Sequence, residues 1–118
     1  MARLVFMMFI VTQGLLLADQ YCKAFSAYMS DDFTLARQEL NTLVFNADTK
    51  AQNLLGLIEL EQEKNSAAQK WLQSAAVKGN AKAAYNLGIY FYALGQNSKT
   101  EQWMHQAESL TEAKTALG

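Results

Sequence analysis

The chain has 118 residues, enough for one domain, and 51% of them are apolar, which is sufficient for a continuous core. Lys and Arg number 10 and Asp and Glu 11, with no basic cluster, which excludes the charge pattern of a nucleic-acid-binding protein. The single cysteine, Cys22, excludes an intramolecular disulfide and a cysteine-based zinc finger, and the lack of proline favours helices throughout.

The N-terminal segment, residues 1–18, has the pattern of a secretory signal peptide. Arg3 is the only charged side chain before Asp19, and the stretch from Leu4 to Leu17 is almost entirely apolar. This stretch is shorter than the roughly 20 residues that span a bilayer, and the small residue Ala18 follows it, where a peptidase would cut. We therefore expect a secreted or periplasmic protein that meets a membrane only through an uncleaved leader. The alternative is a cytoplasmic protein in which this segment is a packed apolar helix.

Six helices are predicted in the rest of the chain, residues 19–118, because apolar residues recur there at helical spacing between short polar breaks. Breaks of about three to five residues force consecutive helices to lie antiparallel as hairpins. The expected fold is all-α, a short α-solenoid of about three helix hairpins. The expected helix N-caps are, in chain order, Asp31 or Asp32, Asp48 or Thr49, Ser66, Asn80 and Ser98.

An internal repeat of 32 residues supports this organisation. The residue pairs that recur at this interval are Ala51 and Ala83, Leu55 and Leu87, Gly56 and Gly88, Trp71 and Trp103, and Ala75 and Ala107. A degenerate earlier copy places Ala24 where the glycines stand. The predicted units are therefore residues 19–47, 48–79 and 80–111, the last followed by a C-terminal cap.

Two glycines lie in the middle of predicted helices, where each costs about 1 kcal/mol relative to alanine. Gly56 and Gly88 occupy equivalent repeat positions. We expect a large side chain of the paired helix, a Trp or a Leu, to pack against the backbone at each of them. Trp71 and Trp103 are predicted to fill the core between hairpins.

These residues resemble the Sel1-like repeat, a relative of the tetratricopeptide repeat. The family pattern is Ala-x-x-x-Leu-Gly-x-x-Tyr on the first helix and Ala-x-x-Trp-x-x-x-Ala-Ala-x-x-Gly on the second. The matching residues are Ala51, Leu55, Gly56, Ala68, Trp71, Ala75, Ala76, Gly79, Ala83, Leu87, Gly88, Trp103 and Ala107. The family Tyr position holds Glu59 and Phe91 instead, and the loop between the two helices is shorter here. The resemblance implies an α-solenoid that binds proteins through the first helix of each hairpin, with no catalytic residues and no cofactor.

Carried onto this sequence, the resemblance predicts a partner-binding row on the first helices of the three hairpins. Its residues are Tyr21, Phe25, Tyr28, Lys50, Asn53, Leu57, Lys82, Tyr85, Ile89 and Tyr92. The row is aromatic for a solvent-facing surface, and tyrosine is enriched at recognition sites. It predicts a groove for a peptide or helix of another protein. The alternative is that several of these residues are buried between adjacent hairpins.

Catalytic and metal-binding patterns are weak. His105 is the only histidine, with Glu101 and Glu108 near it on the same predicted helix, which is more typical of a solvated surface than of a site. We expect a non-enzymatic protein without a metal or cofactor that binds another protein, such as a periplasmic adaptor or assembly factor. An immunity protein that neutralises a secreted bacterial toxin is the second hypothesis.

Overall fold

The computed structural model describes residues 18–45 and 47–117, and the side chains of these up to residue 115. The predicted leader therefore lies almost entirely outside the described residues. Within them, every residue is helical or belongs to a turn between helices, which confirms the all-α prediction. The helices are α1 (18–29), α2 (Phe33–Phe45), α3 (Thr49–Glu61), α4 (Asn65–Val77), α5 (Ala81–Ala93) and α6 (Asn97–Leu117).

The helices pack as consecutive hairpins, α1 with α2, α3 with α4 and α5 with α6, as predicted. The chain divides into two compact units between residues 46 and 47. The first unit contains α1 and α2 and buries its small and apolar residues, among them Ala24, Ala36 and Leu40. In the second unit α4 also packs against α5, which joins its two hairpins. Apolar residues of α3 such as Leu54 and Ile58 are buried in this second unit, and a core cluster joins its other three helices. This cluster contains Leu72, Ala75, Ala76, Ala83, Ala84, Leu87, Phe91 and Ala107.

All five turns place a residue with a positive φ at the same position, at intervals of 16 residues. These residues are Asp31, Ala47, Glu63, Gly79 and Gly95. Four of the turns also share a backbone hydrogen bond that ends the helix, in which the next residue's N–H donates to the carbonyl five positions earlier, as from Asn80 to Ala75 (3.0 Å). The 32-residue repeat is therefore built from two helix-turn units of equal length.

The turns predict opposite effects for two substitutions at equivalent positions. We expect Gly79→Ala to lower the free energy of unfolding by about 1 kcal/mol, because a Cβ is strained at the φ of 100°. A Cβ at this position meets no atom within 4 Å, so backbone strain is the whole cost. Glu63→Gly, at a φ of 60°, should stabilise by a few tenths to about 1 kcal/mol. Urea denaturation of both variants measures this, and effects of the same sign would contradict the assignment.

Side chains cap three of the helices as predicted. Asp32 accepts the N–H of Leu35 (3.1 Å), Asp48 accepts the amides of residues 50 and 51, and Asn80 accepts the N–H of Ala83 (2.9 Å).

Two cap predictions were wrong. Helix α4 begins at Asn65 after Lys64, whose side chain makes no capping bond, so Ser66 lies within the first turn. Helix α6 begins at Asn97, so Ser98 also lies inside the helix. In both cases the 16-residue spacing of the turns sets the start of the helix, and the predicted serine falls two positions after the residue that precedes the helix.

The two mid-helix glycines lie at close contacts between paired helices, as predicted, but the side chain at Gly88 is a Met and not the predicted Trp or Leu. A Cβ added at Gly56 would lie 2.7 Å from Cγ of Leu72, and one added at Gly88 would lie 2.8 Å from Cε of Met104. Both contacts join residues 16 positions apart, one helix and one turn along the chain. The missing Cβ is what lets the paired helix approach.

The two tryptophans are less buried than predicted. Trp71 and Trp103 are both half-buried, and Trp103 packs against the edge of the core. The positions that face the glycines belong to the next residues, Leu72 and Met104, and a helix turns by about 100° per residue. The indole rings therefore lie beside the core.

Helix α6 has 21 residues, while the four helices before it have 13 each. Its Leu110, beyond the length of one repeat unit, packs against the core of the second unit. Among the described residues, no helix combines the length and apolar character needed to cross a membrane.

Candidate functional site

The exposed face of α5 carries a row of large apolar side chains. Lys82, Tyr85, Ile89 and Tyr92 follow one another at helical spacings of three or four residues and therefore share one face. All four are exposed, Tyr85 to 53%, Ile89 to 45% and Tyr92 to 71%. The opposite face of the helix enters the core. We call Tyr85, Ile89 and Tyr92 the α5 row.

The predicted residues on α3 lie in a different environment. Lys50 is exposed, but Leu57 is half-buried and Asn53 is only 9% exposed. The Oδ1 atom of Asn53 accepts a hydrogen bond from Nδ2 of Asn86 on α5 (2.9 Å). Asn53 is therefore buried between α3 and α5, which is the alternative that the sequence left open, and it does not belong to an open surface.

The predicted residues on α1 belong to the first unit and contact aromatic neighbours there. Tyr21 and Phe25 have stacked rings with centroids 6.5 Å apart, and Tyr28 lies 6.1 Å from the ring of Phe33 on α2. Phe25 is exposed, while both tyrosines are half-buried. Of these three residues, Phe25 is the most open to solvent, with 47% of its surface exposed.

Helix α5 lies beside α3 and points in the same direction. Nδ2 of Asn80, before α5, donates to Oγ1 of Thr49 at the start of α3 (3.3 Å), so the two N-terminal ends meet. The Asn86–Asn53 bond repeats this pairing in the next turns of both helices. Leu60, near the end of α3, packs against the core that α5 helps to form. The face of α3 that carries Thr49 and Asn53 thus lies against α5, whose main packing contacts are with α4 and α6.

The 32-residue register makes the α5 row equivalent to that covered face. Tyr85, Ile89 and Tyr92 stand where α3 has Asn53, Leu57 and Leu60. On α3 these positions are buried or half-buried, whereas on α5 all of them are exposed. The α5 row is therefore a surface of the type that lies against α5 on α3, and on α5 it is exposed.

In the described part of the chain, the polar groups away from the α5 row include one exposed His–Glu pair and several buried side chains. His105 Nδ1 lies 3.7 Å from a carboxylate oxygen of Glu108, and both side chains are exposed. No group of three or more metal-ligating side chains lies together among the described residues. Of the buried polar residues, Gln52 accepts a hydrogen bond from the hydroxyl of Ser74 (3.3 Å), and Glu59 on α3 is 3% exposed.

A shallow hollow of about 220 Å³ lies between α4 and α6. It is lined by Val77, Gln102, Trp103 and Gln106. The hollow holds no ionisable side chain, and it lies away from the α5 row.

Comparison with protein-family models, with curated proteins and with solved structures finds no match for this chain. The description as an array of helix hairpins therefore rests on the geometry of the chain itself.

Proposed function

We propose that this chain is a Sel1-like repeat protein that binds another protein, and that the α5 row is the centre of its binding surface. The family assignment is supported by the equivalent contacts of Gly56 with Leu72 and of Gly88 with Met104, one in each hairpin of the second unit. Each of these contacts lies at the Leu-Gly pair of the repeat pattern. The binding role draws its support from the α5 row.

The exposure of the α5 row is the observation that carries the binding proposal. Its two tyrosines and isoleucine form one apolar stripe on a rigid helix, in contact with water. Tyrosine combines a large contact area with few rotatable bonds, so ordering it on binding costs little entropy. Lys82 is the only charged residue of α5 and lies at the N-terminal end of the stripe, where it can select an acidic group. This combination of an apolar centre and a charged rim is typical of protein interfaces.

We expect Tyr85→Ala and Tyr92→Ala each to weaken binding of the partner by about 1–2 kcal/mol, roughly a 5- to 30-fold rise in Kd. The partner is first identified by affinity purification of the tagged full chain from its native host, and Kd is then measured by titration with the purified partner. Because both side chains are largely exposed, neither change should alter the unfolding transition.

Val77→Ala is the matched control, since Val77 is an exposed apolar residue that lies on α4, away from the α5 row. Its Kd should equal that of the parent protein. If neither tyrosine variant changes the Kd, the α5 row is not the binding surface.

The identity and affinity of the partner distinguish the two biological roles within this proposal. An adaptor or assembly factor of the bacterial envelope should bind with moderate affinity, and its deletion should affect growth. An immunity protein should bind one toxin tightly and prevent killing when both are co-expressed. The compartment depends on the predicted leader and is tested by N-terminal sequencing of the purified protein.

A further inference from the structure

We infer that the ligand of the α5 row is an amphipathic helix of the partner, which packs beside α5 as α5 packs beside α3. This inference rests on the proposed function and specifies the kind of partner. It excludes an extended peptide, which the sequence alone left equally open. The structure contains its own template for the complex, because one copy of the repeated face is covered and the next is not.

The template defines the position and direction of the bound helix. Helix α5 contacts α3 through the Asn80–Thr49 and Asn86–Asn53 hydrogen bonds, and it also packs against α4. A helix in the equivalent position one repeat later contacts α5 and α6 together and runs parallel to α5. Its apolar stripe covers the α5 row, in the helix-in-groove mode of recognition.

The charge of α5 adds a requirement for the bound helix. Lys82 lies in the first turn of α5, and a parallel partner helix begins beside it. An Asp or Glu in the first turn of the partner helix pairs with this lysine. The same carboxylate interacts favourably with the N-terminal end of its own helix dipole. The expected ligand is therefore an amphipathic helix with an acidic first turn.

A second copy of this chain fits the surface less well in a head-to-tail arrangement. The helix that such stacking brings to α5 is α1, and its Asp19 stands in register with Ala83 of α5. Ala83 is fully buried, whereas Asp19 is exposed and pairs with Lys23 at 3.4 Å. Stacking would bury this ion pair or break it, and either removes a charged group from water at a cost in free energy.

A two-fold dimer through α5 alone is too small. At their observed exposure, the three side chains of the α5 row offer roughly 300–400 Å² per copy, because an aromatic side chain buries about 150–250 Å². Two copies would bury about 700 Å² in total, which is the size of an ordinary crystal contact. A partner helix that contacts α6 as well as α5 covers more of this end of the array.

The experiment uses a photo-reactive residue in the full-length chain. Tyr85→p-benzoylphenylalanine protein is irradiated in its native host, and the cross-linked peptide is identified by mass spectrometry. A synthetic peptide of that segment, about 20 residues long, is then titrated into purified protein while far-ultraviolet circular dichroism follows its helix content. The cross-link alone does not count as support.

The expected result is a peptide that gains helix on binding and whose Kd rises about 10-fold with Tyr92→Ala. Lys82→Ala and neutralisation of the acidic residue in the peptide should each raise the Kd a few-fold, and together no more than either alone. Val77→Ala should leave the Kd unchanged.

Three results would overturn the inference, and they separate it from the proposed function. If the peptide binds through Tyr92 but stays non-helical, the ligand is not a helix, while the proposed function is unaffected. A cross-link only to this chain, with dimers in analytical ultracentrifugation, identifies a second copy as the occupant. If no cross-link forms, or if Tyr92→Ala leaves the Kd unchanged, the α5 row is not the binding surface and the inference of a helical ligand fails with it.

Discussion

Gly56→Leu should lower the free energy of unfolding by about 3 kcal/mol, a large part of the stability of a small domain. Even a Cβ at this position would lie 2.7 Å from Cγ and 2.8 Å from Cδ2 of Leu72, and Cγ is the branch point of a fully buried side chain. The backbone nitrogen of Leu72 lies 3.4 Å away, an ordinary contact for a Cβ, and this leaves no space for the further atoms of a leucine side chain unless α4 moves. Gly56→Ala should cost about 1–2 kcal/mol, even though alanine gains about 1 kcal/mol in helix propensity.

The equivalent substitution in the last hairpin is the control. A Cβ at Gly88 meets Cε and Sδ of Met104, the mobile end of a flexible and half-buried side chain. Gly88→Ala should therefore be close to neutral, and Gly88→Leu should cost clearly less than Gly56→Leu. Denaturant unfolding monitored by tryptophan fluorescence measures both, because Trp71 and Trp103 both lie in the second unit. Equal costs at the two glycines would contradict this account of the packing.

Leu72→Ala should lower the free energy of unfolding by about 3–4 kcal/mol and reverse the sign of Gly56→Ala. Leu72 is fully buried, and its removal leaves a cavity against a helix that has no Cβ at the facing position. An alanine at position 56 then meets no clash and fills part of the cavity. In the Leu72→Ala protein we therefore expect Gly56→Ala to stabilise by about 1 kcal/mol.

A double-mutant cycle gives the coupling between the two positions, which we expect to be about 2–3 kcal/mol. The half-exposed Leu94 provides a control, because Leu94→Ala should cost little and show no coupling with Gly56→Ala. If Gly56→Ala remains destabilising in the Leu72→Ala protein, its cost does not come from contact with Leu72.

The predicted and observed turns show where local sequence is a reliable guide. Asp32, Asp48 and Asn80 cap helices in the structure, because a side-chain oxygen there can reach free amides of the first turn. Gly79 has the positive φ that its residue type favours. Ala47 and Glu63 have positive φ although their side chains disfavour it, so the packing of the paired helices overrides local preference there.

The candidate site was predictable only in part. The row of first-helix residues followed from the resemblance to the Sel1-like repeat, and three of its members on α5 form an exposed apolar stripe. The resemblance did not distinguish this stripe from the equivalent residues on α3. Asn53 and Tyr85 occupy the same register position, yet one is buried and the other exposed, because α5 covers α3 within the second unit.

The sequence by itself determined the helices, their pairing into hairpins and the close contacts at Gly56 and Gly88. These features depend on residues near one another along the chain: apolar spacing, short polar breaks, and a small residue 16 positions before a large one. The tertiary structure alone decided which part of the repeated face is open. Exposure depends on whether another helix packs on that face, and equivalent residues such as Leu57 and Ile89 are chemically too similar to reveal it.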